Sequence, residues 1–322
     1  TVDHLGALKI EAGAITVGGE APGIPLMKPE GAHLWHFDGS LVSTDGIAPE
    51  PGAVATLRPD GRFGGAVAVE EGTTNLHPNP LMNVDSNSDG IVDGFSSDTY
   101  NCSPSRSLDG GQKITMGVAT VSNAYAGVMT STYIPVSAGA TYTLSVEAKL
   151  VRSAAETVEL VLIWFDTNNA VISSNGLYNQ NPGADYKRLS LTVTAPANAA
   201  KAKVALRIRA SSTSDTGSAW FRRVQLEPKP FATSFVDGTR AAGVLRYPQL
   251  LDKKRGTLSV WINPHVVVSW NNFFLMSLST GRFLLCFNAS GTSWWDFGPV
   301  NSGPYTPAGT IVAGQWTMHT LT

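Results

Sequence analysis

Hydrophobic and polar positions alternate with a period of two along much of the chain's centre. The segment TYTLSVEAKLV places Tyr142, Leu144, Val146 and Ala148 on one face of a strand, and KRLSLTVTAP and AKVALRIRAS repeat the pattern. VELVLIWFD is instead a continuous apolar run, as in a central strand covered on both faces. STYIPV precedes these strands and SAWFRRVQLEP closes the set. Breaks rich in Gly, Pro and Asn separate them at short, regular spacing, which is the pattern of a β-sandwich. Upstream, GAHLWHFDGSLV and GRFGGAVAVEEG read as strand-like pieces around Pro49, Pro51 and Pro59. Downstream of Phe231, TRAAGVLRYP, GTLSVWINP, FFLMSLS, GRFLLCFNAS and GTIVAGQWTMHTLT form a second series of short strands. The predicted class is all-β.

The ends and the joins differ from these strands. Residues 1–30 carry short apolar runs split by Gly and Pro, too little for a core of their own. They are expected to be an extended connector that buries its apolar positions against a partner, most simply between the chains of a homotrimer. At Thr74 the character changes, and NLHPNPLMNVDSNSDGIVDGFSSDTYN reads as a loop rich in Asn, Asp and Gly. Thr322 falls in mid-strand, so the last domain is expected to run on beyond it.

Composition narrows the function. Of the 322 residues only 15% are charged, against roughly 25% in an average soluble domain. The net charge of −2 offers no basic field for nucleic acid. No apolar run approaches the ~18 residues of a membrane-spanning helix, so membrane insertion is not expected. Cys102 and Cys286 fall in different predicted domains and read as structural thiols rather than a disulfide or a zinc site. The six histidines show no HExxH spacing, and neither a GxSxG elbow nor a Gly-rich phosphate loop is present. Glu70, Glu71 and Asp237 are isolated acids in turn-like contexts. A non-catalytic protein, with no catalytic residue, is therefore expected.

One loop carries the chemistry of a hard cation. Asp85, Asn87, Asp89 and Asp93 stand at the first, third, fifth and ninth positions of a run with Gly90 at the sixth, and the carbonyl of Ile91 adds a further oxygen. Ca²⁺ takes six to eight oxygens, and glycine permits the sharp turn. Ser96 stands where an EF-hand carries Glu, so this is not an EF-hand; the alternative is a loop of Asx-turns without metal. Sugar binding needs aromatic faces with amides and carboxylates beside them. Trp164, Tyr178, Tyr125, Tyr133 and Trp220 are the aromatic candidates in the centre of the chain. Tyr178, in SSNGLYNQN with Asn175, Asn179 and Gln180, is the better ligand-facing ring, whereas Trp164 reads as core before it reads as ligand-facing. Trp294 and Trp295 are adjacent on a strand, so one of them points outward, as a sugar platform or a subunit contact.

Two family resemblances organise these motifs. Residues 74–228 resemble the carbohydrate-binding module superfamily found beside xylanases and glucanases. The resemblance rests on the opening NLHPNP, the DSNSDGIVDGF loop, TYTLSVEAK, LIWFDTNNAVIS, YKRLSLTVTAPANAAKAKVALRI and the closing AWFRRVQLE. It implies a second calcium site, but Arg222 and Arg223 stand where family members carry Asp, and Met82 and Asn83 where Glu is common. Residues 256–322 resemble the concanavalin A-like, laminin G-type jelly roll in GTLSVWINP and GQWTMHTLT. That family's opening motifs occur upstream as Trp35–Ser40 and Phe63–Val67, and it implies that Trp261 and Trp316 are buried. The expected architecture is thus two jelly-roll β-sandwiches, one inserted into the other: 31–73 with 236–322 as the split domain, and 74–235 as the insertion. FATSFVDGTRAAGVLRYP and LKIEAGAITVGG resemble linkers and "AGAIT" segments of phage and prophage tail proteins. The resemblances imply a virion tail fibre or tail-tip protein, extracellular, binding cell-surface carbohydrate and neighbouring tail subunits. The alternatives are the accessory carbohydrate-binding region of a secreted glycoside hydrolase, and a structural virion domain without ligand.

Overall fold

In the computed structural model, residues 36–245 are described apart from 45 and 63, together with 258–264, 271–278, 281–287, 293–296 and 311–321. The expectation for residues 1–30 lies outside the described residues. Those described form strands and no helix, so the chain is all-β. It divides into two compact units, one spanning Glu70–Ala242 and the other made of the residues on either side of it.

In the flanking unit, β1 (Thr56–Gly61) and β2 (Gly64–Ala68) form an antiparallel hairpin. The expected strand in GAHLWHFDGSLV is not formed over its described part: His36–Val42 is bends and irregular chain. A break at Phe37 and Gly39, both at positive φ, explains it, since neither conformation continues a strand.

The second unit begins with β3 (Thr73–Thr74), β4 (Phe95–Tyr100), β5 (Cys102–Leu108), β6 (Gln112–Ala119) and β7 (Tyr125–Thr130). It continues with β8 (Ile134–Pro135), β9 (Thr141–Val151), β10 (Thr157–Phe165), β11 (Val171–Gln180) and β12 (Lys187–Thr194). It closes with β13 (Lys201–Arg209), β14 (Ser218–Glu227) and β15 (Thr239–Arg240). One sheet has the order β11-β10-β13-β7-β4 with β8 attached to β13, and the other the order β12-β9-β14-β6-β5. Their inner faces supply the core: Leu144, Val146, Phe221 and Ile114 from one sheet meet Leu160, Leu162, Leu206 and Val128 from the other. β3 pairs with β15, so the two ends of the unit lie side by side.

Three local features set this geometry. Asn101, at φ 54°, turns the chain from one sheet into the other between β4 and β5. In β14 a bulge between Arg222 and Gln225, with Arg223 at φ 51°, switches the inward parity. Ala219 and Phe221 point to the core before it, Val224 and Leu226 after it. The β4 span and SSNGLYNQN, the greater part of β11, read as loop in the sequence, while AVIS at the start of β11 reads as strand. β4 pairs with β7, and β11 is an edge strand on β10. Strands this polar are accommodated because an edge position needs only one paired side.

After the second unit come β16 (Leu258–Ile262), β17 (Asn271–Leu278), β18 (Gly281–Phe287), β19 (Ser293–Asp296) and β20 (Thr317–Leu321). β16 pairs with β20, and β17, β18 and β19 form a three-stranded sheet. Trp261 is 37% exposed, with the Arg62 guanidinium 5.6 Å from its ring centre, rather than buried as the jelly-roll resemblance implies.

Candidate functional site

The outer face of the β11-β10-β13-β7-β4 sheet gathers aromatic and charged side chains. On β13 the core takes Ala202, Val204, Leu206 and Ile208, so Lys201, Lys203, Ala205, Arg207 and Arg209 point outward. On β10 the core takes Val158, Leu160, Leu162 and Trp164, which leaves Glu159, Val161, Ile163 and Phe165 outward. On β7, Ala126 and Val128 point in, and Tyr125, Gly127 and Met129 out. Register then sets the neighbours. Glu159, Arg207, Gly127 and Asp98 lie in one row across four strands, and Arg209, Tyr125 and Tyr100 in the next.

The two arginines on this face are each paired with a carboxylate. Arg207 Nε donates to Asp98 Oδ2 at 2.6 Å. Arg209 donates through Nε and Nη2 to the two carboxyl oxygens of Glu159, and through Nη1 to the Asn123 carbonyl at 2.7 Å. The hydrogen bonds it donates to Glu159 hold the Arg209 guanidinium above its ordinary pKa. Both guanidiniums lie over Tyr125, at 4.2 Å and 5.3 Å from its ring centre. Tyr125 also stacks on Tyr100 at 5.7 Å. Burial pushes the Tyr125 phenol above its usual pKa, against the pull of Arg207, so it is the neutral phenol that this face presents.

Tyr178 stands on the far side of the same face. A Cβ at Gly176 would come 2.2 Å from Tyr178 Cζ, so the ring lies directly over the Gly176 backbone. It is nevertheless 44% exposed. One ring surface packs on the strand while the rest of the ring meets solvent, the arrangement a flat apolar platform requires. Three strand spacings, roughly 14 Å, separate β11 from β7, and Arg209 senses both Tyr178 and Tyr125 electrostatically.

The other sugar candidates are placed differently. Trp164 is fully buried, with Nε1 donating to Asn175 Oδ1 at 2.7 Å. Trp164 is therefore core, and the Asn175 amide oxygen is committed to it; alternation on an otherwise apolar central strand puts this indole between the sheets. Gln180 donates to the Tyr178 carbonyl at 2.7 Å, and Asn179, at φ 58°, lies at the irregular end of the β10–β11 ladder. The Trp294 and Trp295 backbones pair with Cys286 and Leu285, and their side chains lie outside the described residues. Trp220 is nearly buried on the opposite sheet, donating to Asp109 Oδ2 at 2.9 Å. Arg222 and Arg223 both pair with Glu147, so the closing strand places cations where the family resemblance would put acids.

No family model matches the chain, and no curated protein does. Among solved structures the neighbours include carbohydrate-binding modules, an exo-β-agarase, an α-L-arabinofuranosidase and a phage tailspike domain. A CBM4 module is 19% identical over 48% of this chain and 97% of its own, at a TM-score of 0.30. A family 16 carbohydrate-binding module is 16% identical over 45% of this chain and 98% of its own, at 0.29. The enzymatically active domain of tailspike protein 4 from bacteriophage CBA120 is 19% identical over 45% of this chain, at 0.33. The match spans only 21% of that tailspike chain.

The Asp85–Asp93 loop has the donor chemistry of a calcium site and a hydrogen-bonded arrangement of its own. Asp85 accepts from the Gly90 and Asp89 amides at 2.9 and 3.3 Å. Asn87 Oδ1 accepts from the Asp89 amide, and its Nδ2 donates to Asp89 Oδ2. Asp89 also accepts from the Ile91 amide at 2.8 Å. Both Asp93 oxygens accept from Ser86, which holds this exposed carboxyl below its ordinary pKa. Among the described residues no three His, Cys, Asp or Glu side chains converge as a metal-holding group. Gly90, at φ 82°, is required here, since a Cβ would come 2.5 Å from the Arg106 carbonyl.

Sequence reasoning missed Arg207, Arg209, Asp98, Glu159 and Tyr100. The signal for the arginines was present: in AKVALRIRAS the period that buries Val204, Leu206 and Ile208 puts Lys203, Ala205, Arg207 and Arg209 on the opposite face.

Proposed function

We propose that Glu70–Ala242 is a non-catalytic glycan-recognition module of a phage or prophage tail fibre or tail-tip protein, carried outside the cell on the virion. The observation that carries the glycan reading is the Tyr178 ring laid over Gly176, on one sheet face with Tyr125 and Tyr100. Such a face stacks on the C–H surface of a pyranose, while the guanidiniums and amides around it meet hydroxyls. Asp98 and Glu159 are each held by an arginine, an arrangement suited to fixing a surface rather than to proton transfer. The tail setting is supported by the linker-like FATSFVDGTRAAGVLRYP and the LKIEAGAITVGG segment. A shallow polar face gives weak single-site binding, raised by repetition on a trimeric fibre.

Tyr178→Ala should weaken glycan binding about tenfold or more while leaving the melting temperature nearly unchanged, because the ring is half-exposed on an edge strand. A glycan array followed by calorimetry on the best hit tests this. Unaltered affinity in the variant would remove the platform from the binding site.

Calcium in the Asp85–Asp93 loop is part of the same proposal, as a structural ion. Binding would compete with the Ser86–Asp93 and Asn87–Asp89 contacts, so the expected affinity is modest. A thermal melt of the full chain should rise in millimolar calcium and return to its chelator value in Asp89→Ala. Identical melts with calcium and with chelator would leave the loop closed by its own hydrogen bonds.

A further inference from the structure

The strand that crosses the middle of the candidate face is a basic stripe. Lys201, Lys203, Arg207 and Arg209 all project from the outer side of β13, over roughly 27 Å of strand. Acids and bases nearly balance over Glu70–Ala242, so the asymmetry is local to this face. Two of its four cations are neutralised, Arg207 by Asp98 and Arg209 by Glu159. The other two are held differently. Lys201 Nζ donates to the Thr167 carbonyl at 3.1 Å and to Asn169 Oδ1 at 2.7 Å, and Lys203 Nζ donates to the Ser131 carbonyl at 3.1 Å. Cross-strand from them stand Phe165 and Ile163, not carboxylates.

Both ammonium groups also lie over one ring. Lys203 Nζ is 4.8 Å and Lys201 Nζ 5.4 Å from the centre of Tyr133, which is 37% exposed and braced edge-on by Phe165 at 4.9 Å. Neutral oxygens and a π face orient the two lysines without cancelling their charge. An ammonium group has three N–H donors, so three of the six remain unspent. Two half-buried, like-charged groups drawn to one aromatic ring form a place where an anion gains from both at once.

We propose that the Lys201–Lys203–Tyr133 end of this face takes the anionic substituent of an acidic saccharide, so that the module's ligand is an acidic rather than a neutral glycan. This rests on the reading of the face as glycan-binding. Tyr178 and Tyr125 would stack on the sugar rings, and the lysine pair would receive a carboxylate, or a sulfate or phosphate ester, further along the same chain. The shared chemistry is a singly or doubly charged oxyanion attached to a sugar.

The test is calorimetry on the full chain with length-matched oligosaccharides: a neutral series, a uronate series and a sulfated series. The uronate or the sulfated series should bind at least about tenfold tighter than the neutral one, the worth of one charge-assisted hydrogen bond. Whichever shows the gain identifies the oxyanion. The gain should disappear in Lys201→Gln/Lys203→Gln and shrink with added salt. It should survive in Lys113→Gln, which removes an equivalent lysine, stacked on Trp220, from the opposite sheet. Equal affinity for neutral and charged series, or a gain that persists in the double variant, overturns the acidic-ligand inference and leaves the glycan reading standing. Binding to none of the three series by protein with an unaltered melting temperature overturns both.

Discussion

Trp164→Ala is expected to destabilise the protein by ~3–5 kcal/mol, the range for removing a large aromatic side chain from a packed core. The indole is fully buried, sits 6.1 Å from the Tyr142 ring, and belongs to the same cluster as Leu160, Leu162 and Val204. Its loss leaves a cavity that β10, hydrogen-bonded on both sides by β11 and β13, cannot collapse to fill. The Asn175 amide it releases lies on the exposed edge strand and can turn to water, so little of the cost comes from that bond. Urea denaturation should show a lower midpoint with an unchanged slope. Trp164→Phe, which keeps most of the apolar volume, should cost less. A loss under about 1 kcal/mol together with abolished glycan binding would move this tryptophan from the core to the ligand face.

His77 should make the second unit progressively less stable as the pH falls from about 6.5 towards 4. The imidazole is buried and stacked on Phe95 at 4.9 Å; Nδ1 accepts from the Asn79 amide at 3.2 Å, and Nε2 has no partner. Burial lowers its pKa from 6.5 to about 4. The unfolded chain therefore takes up a proton near pH 6.5 that the folded chain refuses until about pH 4. Stability is full above the unfolded value and falls through the interval. The fall ends below the folded value, with a total of roughly 3 kcal/mol. No other histidine lies between Glu70 and Ala242, so the effect is assignable. His77→Phe, which keeps the stack on Phe95, should flatten the profile between pH 6.5 and 4. The same slope in wild type and variant would show that the imidazole titrates freely.

Legibility followed the strength of the alternation. β9, β10, β12, β13 and β14 fall where the period-two pattern and the apolar run put them, because one face of each packs into the core between the sheets. β4 and the latter part of β11 were hidden because their residues are polar on both faces, whereas β12, equally an edge strand, alternates. FSSDTY and SSNGLYNQ keep a polar, loop-like composition while still pairing. Tyr178 was picked out from its sequence neighbours, yet three of the polar residues around it turned out to serve the strand. Asn175 holds Trp164, Gln180 caps the Tyr178 carbonyl, and Asn179 makes the backbone turn.

The sequence by itself determined the all-β class, the succession of the central strands along the chain, the inward face of the alternating ones and the presence of a basic run on β13. These are local quantities, written by periodicity within one segment. Only the tertiary structure decided which of those outward residues meet. Lys201 comes from β13, Phe165 from β10 and Tyr133 from the irregular chain before β8, while Tyr125, Arg207 and Asp98 come from β7, β13 and β4. A single face of a sheet is assembled from strands whose spatial order, β11-β10-β13-β7-β4, differs from their order along the chain. Strand order and register arise from long-range pairing, which no local pattern encodes.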